Sequence, residues 1–159
     1  ILRLGTVFGS SLRPRFDLVL NTFAGQIANK KKINIYGGDQ WRPFVHVQDV
    51  CDIIIKIIKS DQKITNGQIF NISSFNLKLS EVGKKIVKIF PKVKMNILKT
   101  NIDKRNYKVS SKKAKLMLKF NPKYNLEKGI KDLVKFTLKN KIRNIKHKKY
   151  LNILNAEKF

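Results

Sequence analysis

Apolar and polar or small residues alternate through residues 1–8, with Gly5 and Gly9 allowing close backbone approach. This predicts a strand already in progress where the chain opens, and a sequence that looks cut from something longer. A loop follows at 10–14. Phe16, Val19, Leu20, Phe23 and Ile27 then recur at spacings of three and four, predicting a helix over 16–29. Gln26 and Lys30, Lys31 and Lys32 make its polar end, the lysines suiting the negative pole of a helix C-terminus. Residues 33–36 alternate again as a short strand, and Gly37-Gly38-Asp39 breaks it with a composition that accepts positive φ. A second strand, Phe44-Val45-His46-Val47, makes this stretch a hairpin-like lead into a helix from about 48 to 59. That helix carries Val50, Ile53, Ile54, Ile57 and Ile58 on a wide stripe, so burial around much of its circumference is expected.

Asn66-Gly67 marks a turn and 68–72 a strand. Ser80 is the expected N-cap of a helix over 81–90 that Pro91 ends, and 95–98 is a further short strand. A helix over 112–118, a break at Phe120-Asn121-Pro122 and a helix over 125–139 follow. Beyond Asn140 the basic text loses its period, and a frayed extension is expected.

At 159 residues and 42% hydrophobic content, the chain can bury one core. No apolar run approaches the roughly eighteen residues of a membrane span, and the start has no signal-peptide character. The expectation is a cytoplasmic protein without a membrane partner. Cys51 is the single cysteine, so neither an intrachain disulfide nor a thiolate cluster can form, and a packed, inert thiol is expected. The net charge of +25 would direct attention to nucleic acid. The basic residues are mostly lysine, abundant together with isoleucine and asparagine as in an A/T-biased gene. The phenylalanines fall at core spacing rather than interleaving with the lysines, which argues against a nucleic-acid partner.

Three polar groups invite a chemical reading. Pro43 biases Arg42 toward extended backbone, and the planar guanidinium fork suits a phosphate or carboxylate; the alternative is a surface arginine that caps a turn. His46 alternates with Phe44 on a strand, as a core-edge or hydrogen-bonding histidine would. His147 lies between lysines with no companion ligand, so no metal site is expected.

The longer pattern from Gly37 through Arg42, Phe44-Val45-His46-Val47 and Asp49-Val50 resembles the extended short-chain dehydrogenase/reductase family of nucleotide-sugar epimerases and dehydratases. Arg3-x-x-Thr6-Val7-Phe8-Gly9, Gly67-x-Ile69-Phe70-Asn71-Ile72-Ser73 and Asp103-x-Arg105-x-Tyr107 through Lys112 are similar to further segments of it. Departures are Phe8 for the usual tyrosine, Ser10 for a common proline, and Lys119 where Leu-Gly-Phe/Tyr-x-Pro is normal. If that glycine takes positive φ, Lys119 is strained.

The resemblance implies an α/β fold: the C-terminal portion of a Rossmann-type extended short-chain dehydrogenase, with its small substrate-binding domain and an incomplete Rossmann half. Residues 1–9 would end the dinucleotide-binding domain, and 10–140 would form the substrate-binding region interleaved with final Rossmann elements. The remainder, 141–159, would be a basic tail. It further implies that Arg42 and Arg105 clamp the diphosphate of a nucleotide sugar, that Asn21 contacts its phosphates, that Asn34 and Tyr36 cradle the base, and that Phe8 borders the nicotinamide of NAD or NADP. Two arginines far apart in sequence, each on a loop, are what such a clamp requires. A homodimer would be expected of the complete enzyme.

The catalytic half of the pattern is missing. No glycine-rich phosphate turn occurs, and the chemistry also needs a tyrosine four residues before a lysine. Tyr124 and Lys128 have that spacing but follow Pro122, and are read as a loop and the first turn of the last helix. The chain is therefore expected to be a fragment of an NAD(P)-dependent epimerase or dehydratase. The alternatives are a stand-alone basic module binding nucleic acid, or a substrate-binding remnant without catalysis.

Overall fold

The computed structural model describes residues 1–152. Its strands form three small sheets. β1 (Leu2–Leu4) runs parallel to β5 (Phe70–Ile72). β2 (Thr6–Phe8) runs parallel to β4 (Trp41–His46), whose other side pairs antiparallel with β6 (Phe75–Lys78). β3 (Ile33–Tyr36) runs parallel to β7 (Met95–Leu98). The opening stretch, expected as one strand, thus serves two sheets and changes partner at Gly5. There the backbone N–H donates to Ile72 O at 2.8 Å, and a Cβ would stand 3.2 Å from Pro43 O. A side chain at this point would press on the β4 backbone, which would have to shift by a few tenths of an ångström.

The expected hairpin between β3 and β4 does not form, because each strand pairs elsewhere. The connection closes on itself instead: Gln40 Oε1 accepts from Gly38 N at 2.6 Å and Gln40 Nε2 donates to Tyr36 O at 2.8 Å. Gly37 and Gly38, at φ 84° and 122°, send the chain out of one sheet and into another. β6 was not anticipated, although Phe75 and Leu77 alternate with Asn76 and Lys78 and pack on the larger core.

Successive residues of a strand point to opposite faces, and β4 uses both. Phe44 enters a core with Phe8, Phe23, Ile35, Ile86 and Leu133, while Val45 enters a second core with Ile53, Phe70, Ile72 and Leu118. A strand covered on both sides is the pattern of a parallel α/β sheet. The first core lies beneath α1 (Val19–Ala28), α4 (Leu79–Ile89) and α6 (Leu126–Lys139); the second lies beneath α2 (Val47–Ile58) and α5 (Lys112–Leu118). A single turn, α3 (Gln62–Thr65), links α2 to β5. Among the described residues no helix is long and apolar enough to cross a membrane.

Four local expectations change. α1 starts at Val19 rather than at 16, because Phe16 leaves the helical face to meet Tyr150 edge-on, with ring centroids 5.4 Å apart. α4 starts at Leu79 with Lys78 as its cap, since Glu81 Oε2 accepts from Lys78 N at 3.1 Å and the chain enters directly from β6; Ser80 lies inside the helix. α2 buries only the side that carries Asp49, Val50 and Ile53, leaving Ile54, Ile55 and Ile58 exposed, and Cys51 is an exposed thiol rather than a packed one.

The fourth change is the basic tail, which is docked as far as it is described. Ile145 and Tyr150 are buried against Phe16, Phe16 N donates to Tyr150 O at 3.1 Å, and Arg13 Nε donates to Lys149 O at 2.6 Å. The apolar residues of the tail, too sparse to show a helical period, suffice to anchor it. Residues 153–159 of the expected tail lie outside the described residues.

Candidate functional site

The site begins with β4. Strand alternation puts Arg42 on the Phe44 side, and the residue is only 6% exposed. A buried guanidinium requires partners for its N–H groups. Arg42 Nη1 donates to Trp41 O at 2.9 Å and to Arg105 O, and Nη2 lies 3.0 Å from Asp103 Oδ2. Its Cζ is also 5.9 Å from the centre of the Tyr107 ring, within cation–π range. The turn-capping alternative for Arg42 does not describe this arrangement.

The partners come from residues 99–111, an irregular strap between β7 and α5 that carries no helix or strand. The strap is tied down by side-chain amides. Trp41 N donates to Asn106 Oδ1 at 2.9 Å, and Asn76 exchanges two bonds with Val109: its Oδ1 accepts from Val109 N at 2.8 Å and its Nδ2 donates to Val109 O at 3.0 Å. An amide facing a backbone in this way substitutes for one rung of a strand ladder. Gln40 Nε2 also reaches Asp103 O at 3.4 Å, joining the Gly37-Gly38 turn to the strap.

Asp103 brings the two sequence-distant arginines together. Arg105 Nη2 donates to Asp103 Oδ2 at 2.6 Å and Arg105 Nε to Oδ1 at 3.0 Å, while Arg42 approaches the same Oδ2. The hydrogen bonds from Arg105, reinforced by Arg42, hold the Asp103 carboxyl well below the usual carboxylate range. Arg105 is correspondingly pushed up by the same carboxylate. Exposure separates the two arginines: the Arg105 side chain is 75% exposed, and that of Arg42 is 7%.

A cleft of about 230 Å³ opens here, and four of the five substrate residues expected from the sequence line it: Asn34, Tyr36, Arg42 and Arg105. Asp103 and Tyr107 complete the same wall. Asn34 accepts from Asn96 Nδ2 at 3.2 Å across the β3–β7 pair, and Tyr36 at the end of β3 is exposed. Asn21 and Phe8 do not line the cleft. Asn21 is a buried bracket, accepting from Gly9 N at 3.3 Å and donating to Arg15 O at 3.0 Å. Phe8 is 1% exposed and meets His46, Phe75 and Phe44 through ring edges at centroid distances of 5.2, 6.0 and 6.4 Å.

Asp103 and Gln40 were not singled out for a role from the sequence. An aspartate two residues before an arginine was visible; that its carboxylate serves both arginines was not. Asp49, at the end of the Phe-Val-His-Val-x-Asp text, does not cap α2. His46 Nδ1 does so by accepting from Gln48 N at 3.2 Å. Asp49 is buried and accepts from Lys123 N at 2.8 Å, Tyr124 N at 3.3 Å and Ser74 Oγ at 3.4 Å, fastening the approach to α6 and the β5–β6 connection onto α2. His46 stacks flat on Tyr124 with ring centroids 3.9 Å apart, and burial pushes its pKa down.

Among the described residues, those that the sequence pattern offered for the nicotinamide are placed otherwise. Phe8, which would border the ring, is covered. Tyr124 is stacked on His46, with Lys128 Nζ 4.0 Å from its ring centre rather than poised beside the phenol oxygen.

Residues 1–73 match the NAD dependent epimerase/dehydratase family. An uncharacterized protein of Methanocaldococcus jannaschii is 34% identical over 145 residues, an alignment covering 88% of this chain and 43% of that protein. Among solved structures, a UDP-glucuronic acid 4-epimerase from Bacillus cereus, in complex with UDP-glucuronic acid and NAD, superposes with a TM-score of 0.72 at 25% identity, over 88% of this chain and 45% of that one. A UDP-glucose 4-epimerase from Thermotoga maritima with UDP-glucose gives a TM-score of 0.71 at 23% identity, over 87% of this chain and 45% of that one. A dTDP-glucose 4,6-dehydratase from Bacillus anthracis with NAD gives 0.70 at 23%, over 88% and 44%. These last two likenesses bear on the fold. The chain spans less than half the length of each of these relatives. The motif text, the paired parallel strands and these matches agree: residues 1–73 match the NAD dependent epimerase/dehydratase family, and the chain shares the α/β fold of a little under half of each of these solved structures.

Proposed function

We propose that this chain is the substrate-holding part of an NAD(P)-dependent nucleotide-sugar epimerase or dehydratase and supplies its diphosphate clamp. The observation that carries the reading is the convergence of Arg42 and Arg105, 63 positions apart, on one cleft through a shared carboxylate. Arg42 is fixed by burial and offers a guanidinium already stripped of water, which strengthens its pairing with an anion. Arg105 is exposed at the mouth of the cleft, held there by the Asp103 carboxylate. Asn34 and Tyr36, on the same wall, are assigned to the nucleoside end, where a phenol can stack on a base. Asn21 sets the turn after β2 by holding Gly9 N. The nicotinamide, NAD or NADP, accepts hydride when bound. Its site is assigned mainly to residues outside this chain.

The test is calorimetric titration of the chain with UDP-glucose, UDP-glucuronic acid and dTDP-glucose. Arg105→Ala is expected to weaken the preferred ligand by roughly tenfold to a hundredfold, the scale of a charged hydrogen bond. Arg42→Lys, which keeps the charge but loses the fork, should cost about tenfold. Unchanged affinity in both variants would remove the clamp assignment.

A further inference from the structure

The cleft as it stands is too small for the ligand proposed for it. Its volume of about 230 Å³ lies below the roughly 300–1,000 Å³ of small-molecule sites. A nucleoside diphosphate sugar is larger than most such ligands. The place where two guanidiniums converge is also already filled: both carboxylate oxygens of Asp103 accept from Arg105, and one of them faces Arg42. We propose, on the basis of the clamp reading above, that Asp103 is an internal anion seated where the substrate's diphosphate binds, and that the ligand enters by displacing it.

Three features support displacement rather than a permanent tie. The first is which partner can move. The Asp103 side chain is 41% exposed, so it can rotate into solvent with little loss of burial, whereas Arg42 at 7% cannot leave. The second is that the backbone need not follow. Turning the carboxylate releases one backbone bond, from Arg105 N to Asp103 Oδ1 at 3.1 Å, at an exposed place where water can replace it, while Gln40 Nε2 still holds Asp103 O, Arg42 Nη1 holds Arg105 O and Trp41 N holds the Asn106 side chain, so the strap keeps its course. The third is charge. Two guanidiniums beside one carboxylate leave a single positive charge, but with the carboxylate turned away they match the two negative charges of an esterified diphosphate. Until a ligand arrives, Asp103 also prevents the two cations from repelling each other and keeps the buried Arg42 paired.

A residue that merely positioned the arginines and one that competes with the ligand predict opposite signs. UDP and inorganic pyrophosphate would be titrated into the full chain and into Asp103→Asn and Asp103→Ser, with thermal melts to establish that each variant is folded. Competition predicts that both variants bind UDP about tenfold tighter than the parent chain, the direction expected when a like charge is removed from beside a phosphate. Equal or weaker UDP binding by the folded variants would overturn the proposal. A second measurement uses the unmodified chain: the ¹³C carboxyl resonance of Asp103 should shift on saturation with UDP as the carboxylate leaves its guanidinium partners, and an unmoved signal in a saturated sample would also overturn it. Failure of the clamp itself has a separate signature. If Arg42→Lys and Arg105→Ala bind UDP as the parent does, or no form binds at millimolar concentration, the clamp reading falls and this inference with it.

Discussion

Replacing Lys119 with glycine should stabilise the protein. Lys119 caps α5 at φ 49° and ψ 42°, in the left-handed region. Holding a side chain there costs about 1–2 kcal/mol, because Cβ crowds the carbonyl oxygen. Glycine removes that cost but adds freedom to the unfolded chain worth about 0.5–1 kcal/mol. The difference leaves a net gain of about 0.5–1 kcal/mol. Little else is lost: the lysine side chain is exposed, and the bond from Lys56 Nζ ends on the Lys119 carbonyl at 3.2 Å, which glycine retains. The following Phe120 N still reaches Ala114 O at 3.2 Å. For a chain of this size about 1 kcal/mol corresponds to a melting shift of about 2–4 °C. Thermal and urea unfolding of Lys119→Gly would be compared with Lys119→Ala, which keeps the Cβ and should stay within about 0.5 kcal/mol of the parent. A glycine variant no more stable than the alanine variant would refute the argument that the left-handed backbone is strained.

Two further perturbations address the frame behind the site. Asp49→Ala would leave the partly buried N–H groups of Lys123 and Tyr124 without their acceptor, and a loss of about 1–2 kcal/mol is expected, with Asp49→Asn losing less because it keeps an acceptor; urea midpoints decide, and near-parent stability of the alanine variant would contradict the bracket role. His46 has a pKa lowered by burial, so the unfolded chain binds a proton more readily as pH falls through the ordinary histidine value near ~6.5. The stability that neutral His46 supplies is present above that value and is lost below it. The parent should therefore lose more thermal stability between pH ~7.5 and ~5.5 than His46→Gln does, and parallel losses in the two would count against it.

Much of the fold was legible because its elements are short and strongly patterned. β3, β7 and α5 fall where alternation and helical spacing put them, and α6 departs only in giving Asn125 to the cap. What failed was pairing. A turn rich in glycine between two strands suggests a hairpin, yet the pairing of β3 with β7 depends on residues 62 positions away, which no local pattern reports. Burial failed for a related reason. The apolar stripe of α2 is right as chemistry and wrong as coverage, since Ile54 and Ile58 of that stripe stay exposed among the described residues. At the site, the arginines were visible by type and context. The carboxylate that joins them became visible only with the strap folded across β4.

Charge alone would not have found this cleft. The chain carries 35 basic residues and 10 acidic ones, so a further guanidinium attracts no notice. Arg42 differs from the exposed lysines in what its burial does to its interactions. A surface lysine in water keeps its hydration, and its pairing with an anion is worth roughly 0–1 kcal/mol after screening. A guanidinium enclosed by β4, Tyr107 and the strap has already lost that hydration, so whichever anion stands before it is bound with less competition from solvent. The same burial makes an empty clamp costly, since an unpaired buried cation is among the most destabilising features a fold can carry. An aspartate beside it resolves that cost without occupying the site permanently, provided that its own side chain can turn to water. The exposures of Arg42 and Asp103 meet both conditions. On the clamp proposed above, selectivity for a diphosphate would follow from exchange, because only a ligand with more than one negative charge improves on the carboxylate it replaces.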